Sequence, residues 1–581
     1  MIKRLLPFLK GYRKPAVLAP LSVIIETVCE LCLPLLMAAI IDDGIQKGNM
    51  TVVWQSGLLM LLVSAISLTG GTLGAKFTAE AAQGLGANIR QAEFDKINEF
   101  SFADIDRFSS ASLITRLTND VNQVQMVVSI CLRSLFRSGT MVVVAMIAAF
   151  SISPRLASCV FLILPVVAAV LLLLMKICGP LFRNLQKKID AMNQVVQENL
   201  IAIRVVKAFV REDHEKKKFN EANDNLTNAG IKAVMRMMLM GPVMTLGMGT
   251  ATALILYNGG NLVVAGGLEV GDLSSIITYI MNILFSAMML GMALFQYTRA
   301  RASADRIFEV LDCVPSIRDK EDLAGKEAAE TRGKVEFKNV SFKYQASGTG
   351  DDVLRDINFT AQPGQVIAIV GGTGSGKSTL VNLIPRFYDV TGGQVLIDGK
   401  DVRDYKLEDL RKKVGMVLQK NVLFSGTIRE NLMWGDEEAT EEEIIQAAKN
   451  AQAYDFVMSF PDGFDTYIEQ GGVNVSGGQK QRLCIARAML RKPEVLILDD
   501  STSAVDSATE ALIRQSFRDN LKGTTVFLIA QRISSVKDAD QIIVLEDDTI
   551  AAMGTHEQLM AESSIYQEIY YSQQEGGNIN G

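Results

Sequence analysis

Before about residue 300, several runs of this sequence are apolar for long enough to cross a lipid bilayer, which takes about 20 residues each. A segment in hydrocarbon has no water for its amides, so it closes its hydrogen bonds internally as a helix. The runs fall at about 16–41, 52–73, 135–152, 156–177, 237–257 and 273–295. They account for a mean hydropathy of +0.21. Basic residues sort the connections. Residues 76–137 carry Arg90, Lys96, Arg107, Arg116, Arg133 and Arg137, and residues 176–236 carry Arg183, Lys187, Lys188, Arg204, Lys207, Arg211 and Lys216. The other connections hold Lys47, Arg155 and, over 258–272, none. The positive-inside rule therefore puts both long excursions and both termini in the cytoplasm of a multi-pass protein of the inner or plasma membrane.

Met1 to Lys14 mixes Lys3, Arg4, Lys10, Arg13 and Lys14 with Leu5, Leu6, Phe8 and Leu9, as in an amphipathic helix on the membrane surface or a basic flank. No small-residue cleavage site follows a short apolar core, so no signal peptide is read. The seven cysteines lack framework spacing and suit a reducing cytosol; Cys29 and Cys32 read as packing residues. A net charge of −6 gives no reason to expect nucleic acid.

The long excursions read as helices continuing into the cytosol, with turning points at 108–120 and 197–212. These are either contact helices or ordinary solvated hairpins. Glu26 and Glu30 stand one helical turn apart inside the first span. They either line a route for cationic cargo or are neutral or paired within the bundle. The last two spans are rich in methionine, from Met235 to Met292, which suits either an adaptable apolar surface or plain core filling.

Residues 313–334 are polar and broken by Pro315, and read as a linker between a membrane domain, 1–312, and a soluble domain, 335–572. A loose polar tail, 573–581, follows. The soluble pattern of short strands and helices is α/β. Within it, Val366–Val370 is a strand, and Gly371, Gly372, Thr373, Gly374, Ser375, Gly376, Lys377, Ser378 and Thr379 lead into a helix. This is G-x-x-x-x-G-K-S in its strand–loop–helix context. Its glycines turn backbone N–H groups toward a polyphosphate, Lys377 reaches the terminal phosphates, and Ser378 offers a hydroxyl to Mg²⁺. The strand Val495–Leu498 ends in Asp499, placed to hold Mg²⁺ through water, and Asp500, where an attacking water is oriented. Tyr344 either stacks on adenine or simply packs. Ser476, Gly477, Gly478 and Gln479 open a helix and make a second anion-binding end, one more than a single nucleotide needs.

Over nearly its whole length the chain resembles a half-transporter of the ABC exporter family, multidrug type. The phosphate loop, Gln419, Ser476–Gln479, Asp499 and Ser503-Ala504-Val505-Asp506 occur in the family's order. The stretches 109–120 and 197–212 resemble its two coupling regions. The resemblance implies six spans and a dimer with two ATP molecules, each between one chain's phosphate loop and the other chain's Ser476–Gln479. Tyr344 then stacks on adenine, Gln419 senses Mg²⁺ and the attacking water, and Asp506 couples the sites.

Two residues depart from the family pattern. Asp500 stands for the glutamate base, and Gln531, in Ile529-Ala530-Gln531-Arg532, for the switch histidine. A smaller departure is Glu469-Gln470-Gly471-Gly472 for G-E-R-G. Asp500 is one methylene short, and Gln531 cannot take up a proton. The expectation is a weakly hydrolytic ATP site on this chain. Its intact signature then completes the active site of a different half-transporter, in a heterodimer that exports amphipathic, drug-like molecules. Lipid or peptide cargo, or an ATP-gated sensor without transport, are the alternatives.

Overall fold

The computed structural model describes residues 1–320, 332–344, 352–500 and 505–578. The chain divides into two compact units, Met1–Lys96 with Leu113–Asp312, and Ile97–Ser112 with Cys313–Gly581.

The first unit is helical. Among the described residues, five stretches are long and apolar enough to cross a membrane: Arg13–Ile45, Met50–Asn98, Ser110–Ile152, Glu212–Val264 and Val270–Leu311. The fourth expected span falls in a further helix, Cys159–Ile201, where several side chains lie outside the described residues. Close approach depends on small residues, as lipid-embedded packing requires. A Cβ on Gly70 would stand 3.2 Å from the Glu26 nitrogen, and one on Gly74 3.0 Å from Val23. Tyr279, fully buried, donates its hydroxyl to the Leu31 carbonyl at 2.8 Å, and Ser275 donates to the Pro34 carbonyl at 2.7 Å. Both bonds tie the last helix to backbone carbonyls of the first span. At the far end of the first span, Asp42 accepts from Gly271 N at 2.8 Å and so caps the helix beginning at Val270.

The first turning point differs in place from the expectation, and the second falls within it. At the first, the short helix is Phe102–Phe108, ahead of most of the expected stretch. From Ser110 the chain is already in the long helical run to Ile152. Ser101 caps the short helix in a box with Asp104, and Ser109 ends it at φ 58°. At the second, a six-residue helix, Ile203–Ala208, lies between Cys159–Ile201 and Glu212–Met238.

The second unit is α/β. Its strands are β1 (Val335–Phe342), β2 (Leu354–Ala361), β3 (Val366–Gly371), β4 (Gly392–Ile397), β5 (Lys400–Asp401), β6 (Val414–Val417), β7 (Gly426–Thr427), β8 (Tyr467–Ile468), β9 (Val495–Asp499), β10 (Thr525–Ile529), β11 (Gln541–Glu546) and β12 (Thr549–Gly554). Six form one sheet in the order β12-β11-β3-β10-β9-β6, and four form another, β2-β1-β4-β5. In the larger sheet β11, β3, β10, β9 and β6 are parallel, so the loops after β3, β9 and β10 emerge at one end. Every residue of β9 and β10 is buried, as expected of central parallel strands. The C-terminal helix runs Ser564–Asn578, through the boundary expected at 572.

Candidate nucleotide-binding site

The loop after β3 is the one expected to cradle phosphate. Gly371 has φ 154°, and a Cβ there would stand 2.3 Å from the Leu545 carbonyl. Gly374 and Gly376 have φ 88° and 83°, in the left-handed region that side chains disfavour. A Cβ on Gly376 would meet the Val353 carbonyl at 2.8 Å. Nothing lies within 4 Å of a Cβ on Gly372 or Gly374, so a ligand can approach that backbone closely. Lys377 folds back onto the loop, donating to the Gly371 carbonyl at 3.0 Å and the Gly372 carbonyl at 2.5 Å. Burial lowers its pKa, against the pull of Asp499 and Asp500. An amine held by neutral loop oxygens, the two carbonyls and the Ser375 hydroxyl at 3.4 Å, can exchange them for the charged oxygens of a phosphate.

The strand β9 delivers the acids. Ser378 donates its hydroxyl to Asp499 Oδ1 at 2.9 Å. The two residues expected at a metal thus meet, 121 positions apart, because β3 and β9 flank β10. Burial raises the Asp499 pKa, and the Ser378 bond opposes the rise. Asp500 sits in the left-handed region at φ 47°, with its N–H bonded to the Ile529 carbonyl at 3.1 Å. Burial raises its pKa too, opposed by hydrogen bonds from Gln419 and Gln531. Gln531 Nε2 donates to Asp500 Oδ2 at 2.7 Å. Asp500 and Gln531 are therefore direct partners.

Gln531 is itself held by a residue the sequence reading put in the loose tail. Gln573 donates Nε2 to the Gln531 carbonyl at 2.8 Å, and its Oε1 accepts from Ile533 N at 2.9 Å. No local motif marks a lone glutamine at a chain end for this role.

Tyr344 lies half-buried, its hydroxyl 3.0 Å from Thr379 Oγ1 and its ring edge-on to Phe342 at 4.8 Å and Tyr388 at 5.2 Å. Tyr388 in turn donates to Asp106 Oδ2 at 3.0 Å, and Phe102 packs on Phe387 at 4.6 Å. The short helix Phe102–Phe108 thus belongs to this unit. Ser316 N also bonds Asp104 Oδ2, at 3.0 Å.

Ser476 caps the helix Gly477–Leu490 in a reciprocal box with Gln479, accepting from Gln479 N at 3.3 Å while Ser476 N donates to Gln479 Oε1 at 2.8 Å. Ser476 and Gly477 are exposed. The same helix reaches the acids at its next turn, where Gln481 Nε2 meets the Asp500 carbonyl at 3.4 Å. Asp506 caps Ser507–Asn520 through Thr509 N at 2.9 Å, and Ser503 and Ala504 lie outside the described residues.

In the membrane unit, Glu26 and Glu30 are paired with one arginine. Arg137 Nη1 donates to Glu26 Oε1, and Arg137 Nη2 to Glu30 Oε2 at 2.7 Å. Of the two readings of these acids, pairing within the bundle is the one observed. Glu26 Oε2 is buried without a partner.

Comparison with known proteins agrees with this architecture. Residues 17–288 match the ABC transporter transmembrane region family, and residues 354–503 match the ABC transporter family. The chain is 40% identical, over 98% of both sequences, to an uncharacterized ABC transporter ATP-binding protein, YfiB, of Bacillus subtilis. It is 34% identical to a putative multidrug export ATP-binding/permease protein, YgaD, of the same organism, over 98% of this chain and 99% of the relative. It is 32% identical to an ATP-dependent lipid A-core flippase of Syntrophus aciditrophicus, over 99% of this chain and 94% of the relative. Among solved structures it resembles a bacterial Atm1-family ABC exporter with ATP bound, with a TM-score of 0.80 and 25% identity over 97% of this chain and 98% of that one. With a helical membrane domain and an ATP-binding domain fused in one polypeptide, the chain belongs to the ABC transporter family as an exporter half-transporter.

Proposed function

We propose that this chain is the weakly hydrolytic subunit of a heterodimeric exporter of amphipathic, drug-like molecules. The observation that carries the reading is the bond from Gln531 Nε2 to Asp500 Oδ2 at 2.7 Å. A base must be free to take a proton from water, and hydrogen-bond reach decides whether it can. Here the carboxylate is a methylene short and is occupied by an amide that donates but cannot be protonated near neutral pH. Held from two sides by Gln419 and Gln531, Asp500 is suited to fixing a bound nucleotide rather than cleaving it.

The remaining parts of the site are those of a competent binder. The open backbone at Gly372 and Gly374 and the amine of Lys377 suit the phosphates of ATP, and Tyr344 offers a ring to the base. Ser378 and Asp499 supply two hard oxygens 2.9 Å apart, a donor set that fits Mg²⁺. When bound, that ion neutralises phosphate charge. Ser476, Gly477, Gly478 and Gln479 are presented at a capped, exposed helix start, free to complete a nucleotide site on a second, different half-transporter. The domains of this reading are 1–312 in the membrane, 313–334 as linker and 335–572 as the ATPase, with the ATPase in the cytoplasm. The relatives' names span multidrug export and lipid A transport, and the methionine-rich spans suit an apolar, shape-tolerant cargo.

Affinity purification of the tagged native chain tests the assembly. Recovery of a second half-transporter in equal amount supports the heterodimer. Recovery of this polypeptide alone, with ATP turnover at a rate typical of a competent site, overturns it.

A further inference from the structure

The helix Met50–Asn98 leaves its apolar run at about residue 73. Twenty residues further, about 30 Å at 1.5 Å per residue, it carries Glu93. That side chain is fully buried, and neither carboxylate oxygen has a hydrogen-bond partner. An ionised carboxylate in such a place is costly, and a group so placed neutralises rather than stay charged.

The neighbouring charges are already committed. From the π-helical turn Arg116–Asp120, Asp120 and Arg116 face Glu93. Asp120 is bonded twice by Arg306, once from Nε at 2.7 Å. Arg116 donates to Glu309 Oε2 at 2.9 Å and to the Arg306 carbonyl at 2.7 Å. Arg306 and Glu309 stand on the helix Val270–Leu311. The helix Val121–Ile130 brings no charge, and Arg90, on the same helix as Glu93, donates to Gln125 at 3.2 Å. From the N-terminal segment, Arg4 is paired with Asp312. Two arginines therefore face two other carboxylates, and an ionised Glu93 would be the uncompensated fifth charge.

We propose that Glu93 is a proton-binding site, holding a proton in this packed arrangement and releasing it to water when the helices around it part. Burial, with Asp120 adding to it against Arg116, pushes its pKa up to about 7. The usual value is 4.5, so the packed form binds the extra proton between the two. Packing here is therefore firmest in acid. It weakens as pH rises from about the usual value to about 7, and is constant beyond. The cytosolic pH then biases how readily this part of the helical unit opens, whatever cargo or partner the chain has.

Hydrogen exchange on the full chain in lipid nanodiscs tests this, comparing the native protein with Glu93→Gln at each pH so that intrinsic exchange cancels. The ratio of opening, native over variant, at amides of Val121–Ile130 should rise close to tenfold per pH unit from about pH 5 to 7, then level off. A ratio that stays flat overturns the proposal. Should Glu93→Gln not fold, infrared spectroscopy of a chain keeping Glu93 but with Asp272, Asp499 and Asp500 replaced by Asn decides instead. A protonated-carboxyl band present at pH 6 and lost by pH 8 supports the site, and its absence at pH 6 overturns it.

Discussion

Gln531 and Asp500, 31 residues apart, share a hydrogen bond of 2.7 Å across the ends of two adjacent parallel strands. The strand register brings them side by side, since Ile529 pairs with Asp499 and each partner follows one or two residues later. Substitutions at the two positions therefore act on one object.

If Asp500 holds rather than cleaves, Asp500→Asn should alter the ATP turnover of the native complex by less than about threefold. Ser476→Ala should reduce it on the order of 10²-fold, the loss typical of removing one positioned donor from a reacting group. Steady-state phosphate release from the purified complex measures both. Equal losses would refute the division of roles.

Restoring the family residues together, Asp500→Glu with Gln531→His, should raise hydrolysis at this chain's own site. About an ångström of misplacement costs roughly 10²-fold, so a gain of that order is the upper bound. Single-turnover assays on a complex whose other site is disabled would detect it.

Asp499 keeps its proton to higher pH than an ordinary aspartate because it is buried. Magnesium needs the ionised form, so Mg-ATP affinity should rise with pH through the folded pKa and then level off. The same shift stabilises the nucleotide-free domain in acid, and that contribution is lost as pH rises through the folded pKa. Titration of Mg²⁺ at several pH values checks the first part. Asp499→Asn should remove the slope while leaving metal-free ATP binding within about threefold.

Tyr388→Phe keeps the rings beside Tyr344 and Phe102 but deletes the bond to Asp106. The cost should be about 1 kcal/mol of local stability, read as faster hydrogen exchange in Phe102–Phe108. Asp106→Ala should do the same, and the double variant should add little, because both remove one bond.

Arg137→Met leaves Glu26 and Glu30 without their cation at membrane depth. A loss smaller than the ~3–5 kcal/mol of breaking a fully buried pair is expected, because 34% of the Arg137 side chain is exposed. Glu30→Gln should cost far less, because Glu30 is the more exposed acid and the variant leaves Arg137 with Glu26. Thermal unfolding in detergent compares them.

Much of this was legible without coordinates. Apolar length gave the membrane helices, and the spacing around Lys377 gave the phosphate loop in its strand-to-helix setting. Other features were not. The first turning helix lies at Phe102–Phe108, before most of the stretch chosen for it, although Ser101 and Asp104 at capping-box spacing were there to be read. Gln573 falls where composition indicates a loose tail, yet it holds the Gln531 segment through two hydrogen bonds.

The sequence by itself determined the periodicities and the local chemistry: which runs dissolve in lipid, which strands are buried, which loop frees its amides for phosphate. These depend on neighbours along the chain. Tertiary structure alone decided the pairings, with Asp500 bonded to Gln531, Arg137 shared by Glu26 and Glu30, and Glu93 left with no donor. The reason is physical. A charge buried far from water is worth whatever its partner makes it worth, and that partner is chosen by how helices and strands pack.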